Sequence, residues 1–112
     1  MKEITWNDFE KVELRTGRII SAEEFPEARK PAYKLRVDFG GDIGILRSSA
    51  QITEHYKIED LKGKMVVAVV NFPPKQIGST ISECLITGFP DPDGYVVLCV
   101  PDIEIALGKK LF

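Results

Sequence analysis

The chain is poor in the residues on which most enzyme and metal sites depend. Its 112 residues include one histidine and two cysteines. His55 has no cysteine or carboxylate near it at metal-ligand spacing, so we interpret it as a polar helix residue rather than a ligand or base. No nucleophile, base and orienting group occur together at a recognisable spacing. Gly40-Gly41 and Gly78-Ser79 lack the lysine and the strand-to-helix context of a phosphate-binding loop. We therefore expect a binding protein without catalytic residues, metal or cofactor.

Long apolar runs and targeting segments are also missing. No apolar run approaches the roughly 20 residues of a membrane span, and no basic segment followed by an apolar one opens the chain. A composition of 44% hydrophobic and 29% charged residues with a net charge of −2 fits one globular domain over residues 1–112. Cys84 and Cys99 fall in predicted strands, where reduced, buried thiols are typical of cytosolic proteins. We expect a cytoplasmic protein without membrane insertion or a disulfide.

Residues 64–87 form the segment around which the other predicted elements are arranged. Its apolar run, residues 65–70, predicts a strand that is buried on both faces. The run ends at Asn71-Phe72-Pro73-Pro74, where two prolines fix φ and remove backbone donors. Beyond the polar residues 75–79, alternation over residues 81–86 predicts another strand. The segment therefore predicts a strand, a rigid polar loop and a strand, with Phe72 as an exposed apolar anchor or, alternatively, a residue folded back into the core.

The remaining patterns predict an all-β chain with short helices. Thr5 and Asp8 have the spacing of a capping box before the first helix. Past Gly17 the apolar positions of the first strand shift, which indicates a bend at a glycine or a β-bulge. The predicted elements are a short helix, three strands, a helical turn and three further strands, over residues 6–11, 12–25, 33–39, 43–49, 50–61, 65–70, 81–86 and 95–100. Residues 88–94 predict a turn or loop.

Basic residues are predicted on one face of the second and third strands. Alternation places Tyr33 on the buried face and Lys34 and Arg36 on the other face, and a turn over residues 40–42 brings Arg47 beside them. Such alternating charge is often a solvated sheet face. The alternative, a surface that attracts anions, stays open at this point.

This order of elements is that of an OB fold, a five-stranded barrel. OB folds bind ligands across strands two and three and against the loops that join strands one to two and four to five, here residues 26–32 and 71–80. Residues 101–112 alternate around Ile103 and Ile105 and end in Leu111-Phe112. We expect extra C-terminal strands there, which build an isologous homodimer together with residues 95–100.

Four segments of this sequence resemble the CsaA family, small relatives of the tRNA-binding module of some aminoacyl-tRNA synthetases. They are FPEARKPAYKLRVDFG, SSAQIT, VVNFPPKQIG and SECLI. The resemblance implies an OB-fold homodimer that acts as an export-related chaperone of unfolded preproteins, with relatives that bind tRNA. The tRNA-binding modules carry more basic residues between Asn71 and Ser82 than this chain, which has Lys75 alone. By position, the binding loop that the resemblance implies comprises Asn71, Phe72, Pro73, Pro74, Lys75, Gln76 and Ser82.

The sequence therefore favours a non-enzymatic chaperone that holds extended preprotein segments and works with the export machinery. In this hypothesis Phe72 and the prolines supply apolar contacts, while other loop residues bond the peptide backbone or attract anionic groups. The alternative is a protein that binds tRNA or another RNA, for which only Tyr33 and Phe72 are candidate stacking aromatics. The backbone-bonding candidates are Asn71, Gln76 and Ser82, and the anion-attracting candidates are Arg36, Arg47 and Lys75.

Overall fold

Antiparallel strands with two short helices make up the chain in a computed structural model that describes residues 1–112. The elements are α1 (Trp6–Glu10), β1 (Leu14–Glu24), β2 (Tyr33–Asp38), β3 (Ile45–Ala50), α2 (Ile58–Leu61), β4 (Met65–Val69), β5 (Lys75–Ile77), β6 (Thr80–Ser82), β7 (Leu85–Ile86), β8 (Gly88–Pro90) and β9 (Val96–Leu98). A five-stranded sheet runs in the order β3-β2-β1-β4-β7, and β5-β6 and β8-β9 form separate pairs. The sheet curls into a nearly closed barrel, which confirms the predicted all-β OB fold.

The central strand, β1, pairs with both β2 and β4. Its register against β2 shifts between Ile19 and Ser21, which confirms a bulge in this strand. Gly17 packs against Val37 and Phe39, and a Cβ at position 17 would lie 2.7 Å from each side chain. The glycine therefore lets the backbone of β1 approach the core, while the bulge increases the curvature that the barrel requires.

The core lies inside this barrel and follows the predicted alternation. In β2, Tyr33, Leu35 and Val37 are buried and Arg36 is exposed. In β4, every residue after Met65 is buried, as expected for a strand with neighbours on both faces. Fully burying an aliphatic or aromatic side chain stabilises the fold by roughly 1.5–3 kcal/mol. The largest fully buried side chains are Phe39, Ile19, Leu35, Leu61, Val37 and Val66.

Both helices are short. Thr5 caps α1, since its Oγ1 accepts from the Asp8 N–H at 3.1 Å and the Asp8 carboxylate accepts from the Thr5 N–H at 3.0 Å. This reciprocal pair confirms the predicted capping box. No helix in the structure has the length and apolar character needed to cross a membrane.

Residues 75–86 differ from the prediction of a polar loop followed by one strand. β5 pairs with β6 across the turn Gly78-Ser79, where Gly78 has a φ of +57°. Glu83 and Cys84 then separate β6 from β7. The reason is a contact that alternation does not reveal, because the Glu83 N–H donates to the carbonyl of Arg47 at 2.8 Å and draws the chain toward β3. The predicted loop is thus a small hairpin, and Cys84 lies outside the strands.

The C-terminal region agrees with the prediction only in part. β8 lies within the predicted loop and pairs with β9, so the extra strands near the C-terminus lie at residues 88–98. The expectation of strands in residues 101–112 is wrong, because this tail forms a single bridge, between Lys110 and Arg15. Pro101 has no N–H to donate, and Gly108 turns the chain with a φ of +75°. The tail leaves large apolar side chains exposed, namely Ile103, Ile105, Leu111 and Phe112.

Candidate functional site

The loop between β4 and β5 is anchored at Asn71. The Asn71 Nδ2 donates to the carbonyl of Lys11 at 2.7 Å, and its Oδ1 accepts from the N–H of Glu13 at 3.0 Å. The neighbouring Val70 N–H donates to the Glu13 carbonyl at 2.9 Å. Both ends of the Asn71 amide thus hold the loop against the segment between α1 and β1. We assign Asn71 to positioning the loop.

Phe72 forms a wall of an apolar cavity of about 370 Å³. Its side chain is 55% exposed, so it does not fold back into the core. Pro73 and Pro74 follow it, and their fixed φ angles keep the loop stiff. Leu85, at the start of β7, is 52% exposed and supplies further apolar surface. The residues that line the cavity are Phe72, Pro73, Lys75, Ser82, Glu83, Cys84 and Leu85.

Cys84 is the buried residue in the lining of this Phe72 cavity. Its side chain is buried, and burial raises the pKa of the thiol to about 11. Its Sγ lies 3.9 Å from the carbonyl oxygen of Arg47. Cys84 and Cys99 are both free thiols. At neutral pH the Cys84 thiol is therefore protonated and unreactive.

The polar residues of the predicted loop lie on the β5-β6 hairpin. Lys75 faces Ser82 across the two strands. The Ser82 hydroxyl donates to the carbonyl of Cys84 at 3.3 Å, and the Gln76 Nε2 donates to the carbonyl of Gly78 at 2.8 Å. Lys75 is exposed and forms no ion pair. Lys75 is thus the uncompensated charge at the mouth of the Phe72 cavity.

Arg36 and Arg47 lie directly opposite each other on β2 and β3, as predicted. They line a separate, shallow cavity of about 130 Å³ together with Lys34. Arg36 is exposed and unpaired, whereas the Arg47 Nε donates to the Glu83 Oε1 at 3.1 Å. The hydrogen bond from the Arg47 backbone, followed by that from its side chain, lowers the pKa of the Glu83 carboxyl. Since Glu83 stays ionised, it neutralises part of the charge on this face.

Tyr33 is not available for stacking on a nucleic acid base. Its side chain is buried at 7% exposure, and its hydroxyl donates to the carbonyl of Tyr56 at 2.8 Å. Tyr33 thus lies on the buried face of β2, as its alternation pattern predicted, and is not at the surface. Of the two candidate stacking aromatics, the structure leaves Phe72.

The structure also shows a groove that the sequence analysis did not identify. It has a volume of about 580 Å³ and lies between residues 26–32 and β5. Arg29 and Lys30 line it together with Lys75 and Gln76. The sequence carried a signal for it, since an OB fold places ligands against this first loop and the loop contains the Arg29-Lys30 pair. Lys75 borders both the groove and the Phe72 cavity, which are therefore neighbours.

Sequence comparison places the whole of this site in a known family. The family described as "Putative tRNA binding domain" matches residues 14–110. The methionine–tRNA ligase of Pyrococcus furiosus is 34% identical over 111 residues, which are 99% of this chain and 15% of the ligase. That of Methanocaldococcus jannaschii is 35% identical over 99% of this chain and 17% of the ligase. The chain thus spans less than a fifth of the length of these relatives.

Three solved structures match this chain over nearly the full length of both proteins. The CsaA chaperone protein of Picrophilus torridus is 50% identical, with a TM-score of 0.91 over 98% of this chain and 100% of its own. The chaperone CsaA of Bacillus anthracis is 46% identical, with a TM-score of 0.92 over 99% and 100%. A MetRS-related protein of Pyrococcus horikoshii is 27% identical, with a TM-score of 0.87 over 100% of both chains. This chain therefore belongs to the tRNA-binding domain family and, within it, to the CsaA chaperones.

Proposed function

We propose that this protein is a non-enzymatic chaperone, a single OB-fold domain that holds extended segments of unfolded preproteins. The observation that carries the proposal is the apolar cavity of about 370 Å³ beside Phe72. The cavity is large enough to admit a bulky side chain, and it opens beside the stiff loop that the fold uses for ligands. The similarity to CsaA chaperones supports a chaperone function in general.

The energetics of the cavity suit an unfolded chain. Burying one leucine or phenylalanine side chain against Phe72 and Leu85 contributes roughly 1.5–3 kcal/mol. Because Pro73 and Pro74 already restrict the loop, little conformational entropy is lost on binding. Such an anchor binds any segment that presents a large apolar side chain, whereas a folded protein buries most of these side chains. Because unfolded chains expose these side chains and folded proteins bury them, the cavity should select unfolded chains, which include unfolded preproteins.

We propose further that the protein works as a homodimer in the cytoplasm and passes preproteins to the export machinery. The support for the dimer is an apolar cavity of about 560 Å³ whose lining includes Val100, Ile105, Leu111 and Phe112. Exposed apolar surface is typical of a contact between copies, and isologous dimers are the most common assemblies. Further exposed apolar side chains in the C-terminal region are Tyr95, Val97 and Ile103.

Binding of tRNA is the second candidate function. The family description and the three basic side chains of the groove, Arg29, Lys30 and Lys75, favour it. Stacking of bases on aromatic side chains contributes about 1–3 kcal/mol per base. Because Tyr33 is buried, Phe72 alone is placed for such stacking beside this groove. The site is therefore better suited to a peptide than to single-stranded RNA.

Fluorescence anisotropy with a labelled, permanently unfolded peptide tests the proposal. Phe72→Ala removes the anchor and should weaken binding by about fivefold to 150-fold, whereas Phe72→Leu should retain most of the affinity. Ile45→Ala is the matched control, since Ile45 is 46% exposed and lies on β3 away from the cavity. Equal affinities of wild type, Phe72→Ala and Ile45→Ala would contradict the proposal.

A further inference from the structure

We infer that the groove between β5 and residues 26–32 binds an extended, acidic segment of polypeptide as an added β-strand. The inference rests on the proposed function and extends it from an apolar anchor to a second subsite with its own chemistry. The groove has a volume of about 580 Å³. Its lining includes Arg29, Lys30, Lys75, Gln76 and Ile77.

The charge of the groove selects an acidic occupant. Three of its lining residues, Arg29, Lys30 and Lys75, are basic, and none is acidic. None of these three side chains forms an ion pair. The neighbouring carboxylate of Glu27 lies at the tip of the hairpin, where it accepts a hydrogen bond from the Ser79 hydroxyl at 3.2 Å. The positive charge of the groove is therefore uncompensated, and Asp or Glu side chains complement it.

β5 offers a free edge to this occupant. It pairs with β6 alone, and β6 lies beside β3, so β5 is the outer strand of the hairpin. In a hairpin with a two-residue turn, the residues next to the turn form a hydrogen-bonded pair, and the following pair is not hydrogen-bonded. Ile77 is paired with Thr80 in this way, so the N–H and C=O of Gln76 point away from β6. No turn or loop backbone hydrogen bond involves Gln76.

The same features favour peptide over nucleic acid. A free N–H and C=O on a strand edge match the backbone of an extended peptide, which adds to the edge as another strand. Single-stranded nucleic acid is instead held by aromatic side chains that stack on its bases. The groove has no aromatic residue in its lining. A peptide therefore satisfies both the charge and the hydrogen-bonding groups of the groove.

The groove and the Phe72 cavity lie close enough together to bind one peptide at the same time. Lys75 lines both of them, and Gln76 follows it along β5. An extended segment whose apolar side chain occupies the cavity passes directly over Lys75 into the groove. The ligand that fits both subsites has a bulky apolar residue next to a short acidic stretch.

Titrations with three labelled peptides test this inference. One peptide carries a leucine beside four Asp or Glu residues, the second has Asn and Gln in their place, and the third has Lys. In wild type the acidic peptide should bind most tightly and the Lys peptide least. Arg29→Gln with Lys30→Gln should weaken the acidic peptide by about threefold to tenfold and leave the Asn/Gln peptide unchanged. Lys57→Gln with Lys62→Gln, two exposed lysines beside and after α2, is the charge-matched control.

The strand edge is tested separately at Gln76. Gln76→Pro removes the edge N–H and should weaken the acidic peptide by about threefold to tenfold, whereas Gln76→Ala retains the N–H and should bind normally. If Gln76→Pro does not fold, the Arg29 and Lys30 variant decides alone.

The outcomes separate this inference from the proposed function. Equal affinity for all three peptides, still lost in Phe72→Ala, would overturn the groove and leave the proposed function standing. Absence of all peptide binding would overturn both. Binding of a 12-nucleotide RNA that depends on Arg29 and Lys30, with no preference for the acidic peptide, would assign the groove to nucleic acid and overturn the inference.

Discussion

Glu83 and Arg47 bind each other through both backbone and side chain across the seam of the barrel. The Glu83 N–H donates to the Arg47 carbonyl at 2.8 Å. The Glu83 Oε1 accepts from the Arg47 N–H at 2.9 Å and from its Nε at 3.1 Å. These bonds join β3 to the segment before β7, two elements at opposite ends of the sheet order. Because Glu83 also lines the Phe72 cavity, the contact that closes the barrel shapes the proposed binding site.

Removing the Glu83 carboxylate should destabilise the protein. Hydrogen bonds to an ionised group contribute about 1.5–3 kcal/mol, so Glu83→Ala should lower the free energy of unfolding by about 1–3 kcal/mol. Urea denaturation followed by circular dichroism measures this loss. Glu54→Ala, an exposed residue without hydrogen bonds, is the control. Wild-type stability in Glu83→Ala would show that the seam is held by other contacts.

The same carboxylate should make stability depend on pH in the acidic range. Arg47 lowers the pKa of Glu83 below its usual value of 4.5. Because the folded-state pKa is below the unfolded one, the stabilisation is present above the unfolded pKa and is lost as pH falls through the folded pKa. The melting temperature should therefore decrease between about pH 5 and pH 3, and less steeply in Glu83→Gln. Identical slopes for both proteins would contradict the assignment.

Two further carboxyls should leave part of this pH dependence in Glu83→Gln. A hydrogen bond from Lys110 lowers the pKa of Glu13, and one from His55 lowers that of Asp91. Both groups act in the same direction as Glu83. The double variant Glu13→Gln with Glu83→Gln should therefore show a melting temperature that depends even less on pH than that of Glu83→Gln alone.

Arg36 and Arg47 should respond differently to substitution. Arg36→Ala should reduce the salt dependence of binding to an anionic probe such as tRNA by about one unit of log K against log salt, without loss of stability. Arg47→Ala should also lower stability, because it breaks the side-chain bond to Glu83. The alternation that places both side chains on one face of the sheet does not reveal this difference between them. An unchanged salt slope in Arg36→Ala would make this face an ordinary solvated surface.

The proposed homodimer predicts a mass in solution of twice 12.5 kDa at micromolar concentration. Phe112→Glu should shift the protein to monomer, since Phe112 is 95% exposed and a charge there opposes apolar association. This variant keeps the bond from the Leu111 N–H to the Leu14 carbonyl at 2.8 Å, which deletion of residues 108–112 would remove. Multi-angle light scattering distinguishes the states. A wild-type mass of 12.5 kDa would exclude the dimer.

Cys84 should react slowly, whereas Cys99 should react faster. Cys84 is buried with a raised pKa, so its labelling by a maleimide in the native protein should be much slower than in denaturant. The expectation of a buried thiol in a strand is wrong for Cys99, which is half-buried and follows β9. Since both cysteines are free, reductant should not change the melting temperature. A melting temperature several degrees lower in reductant would reveal a disulfide.

The barrel could be predicted from sequence because its strands have clear periodicity. Alternation in β2 separates Tyr33 and Val37 from Arg36 without ambiguity, and the uniform apolar run of β4 requires neighbours on both faces. The small hairpin could not be predicted in this way. Its strands have 3 residues each, so no period is established, and the turn Gly78-Ser79 lies in a segment whose prolines suggest a loop.

Contacts between distant parts of the chain were also beyond sequence patterns. Asn71 forms hydrogen bonds with Lys11 and Glu13, which precede it by 60 and 58 residues. No local sequence motif predicts such contacts. Glu83 was overlooked for the same reason, since its partner Arg47 lies 36 residues away. The groove at Arg29 and Lys30 could not be predicted either, because it forms only where the fold places β5 beside this loop.

Paired titrations decide between a peptide and tRNA as the ligand of this protein. An uncharged unfolded peptide and tRNA are each titrated at low and at physiological salt, with wild type, Phe72→Ala and Lys75→Ala. We expect peptide binding that changes little with salt and that Phe72→Ala weakens by about 1–3 kcal/mol. Binding of tRNA, if measurable, should decrease steeply with salt, and Lys75→Ala should reduce that slope by about one. Tight binding of tRNA without detectable binding of the peptide would show that the protein binds RNA and does not hold unfolded chains.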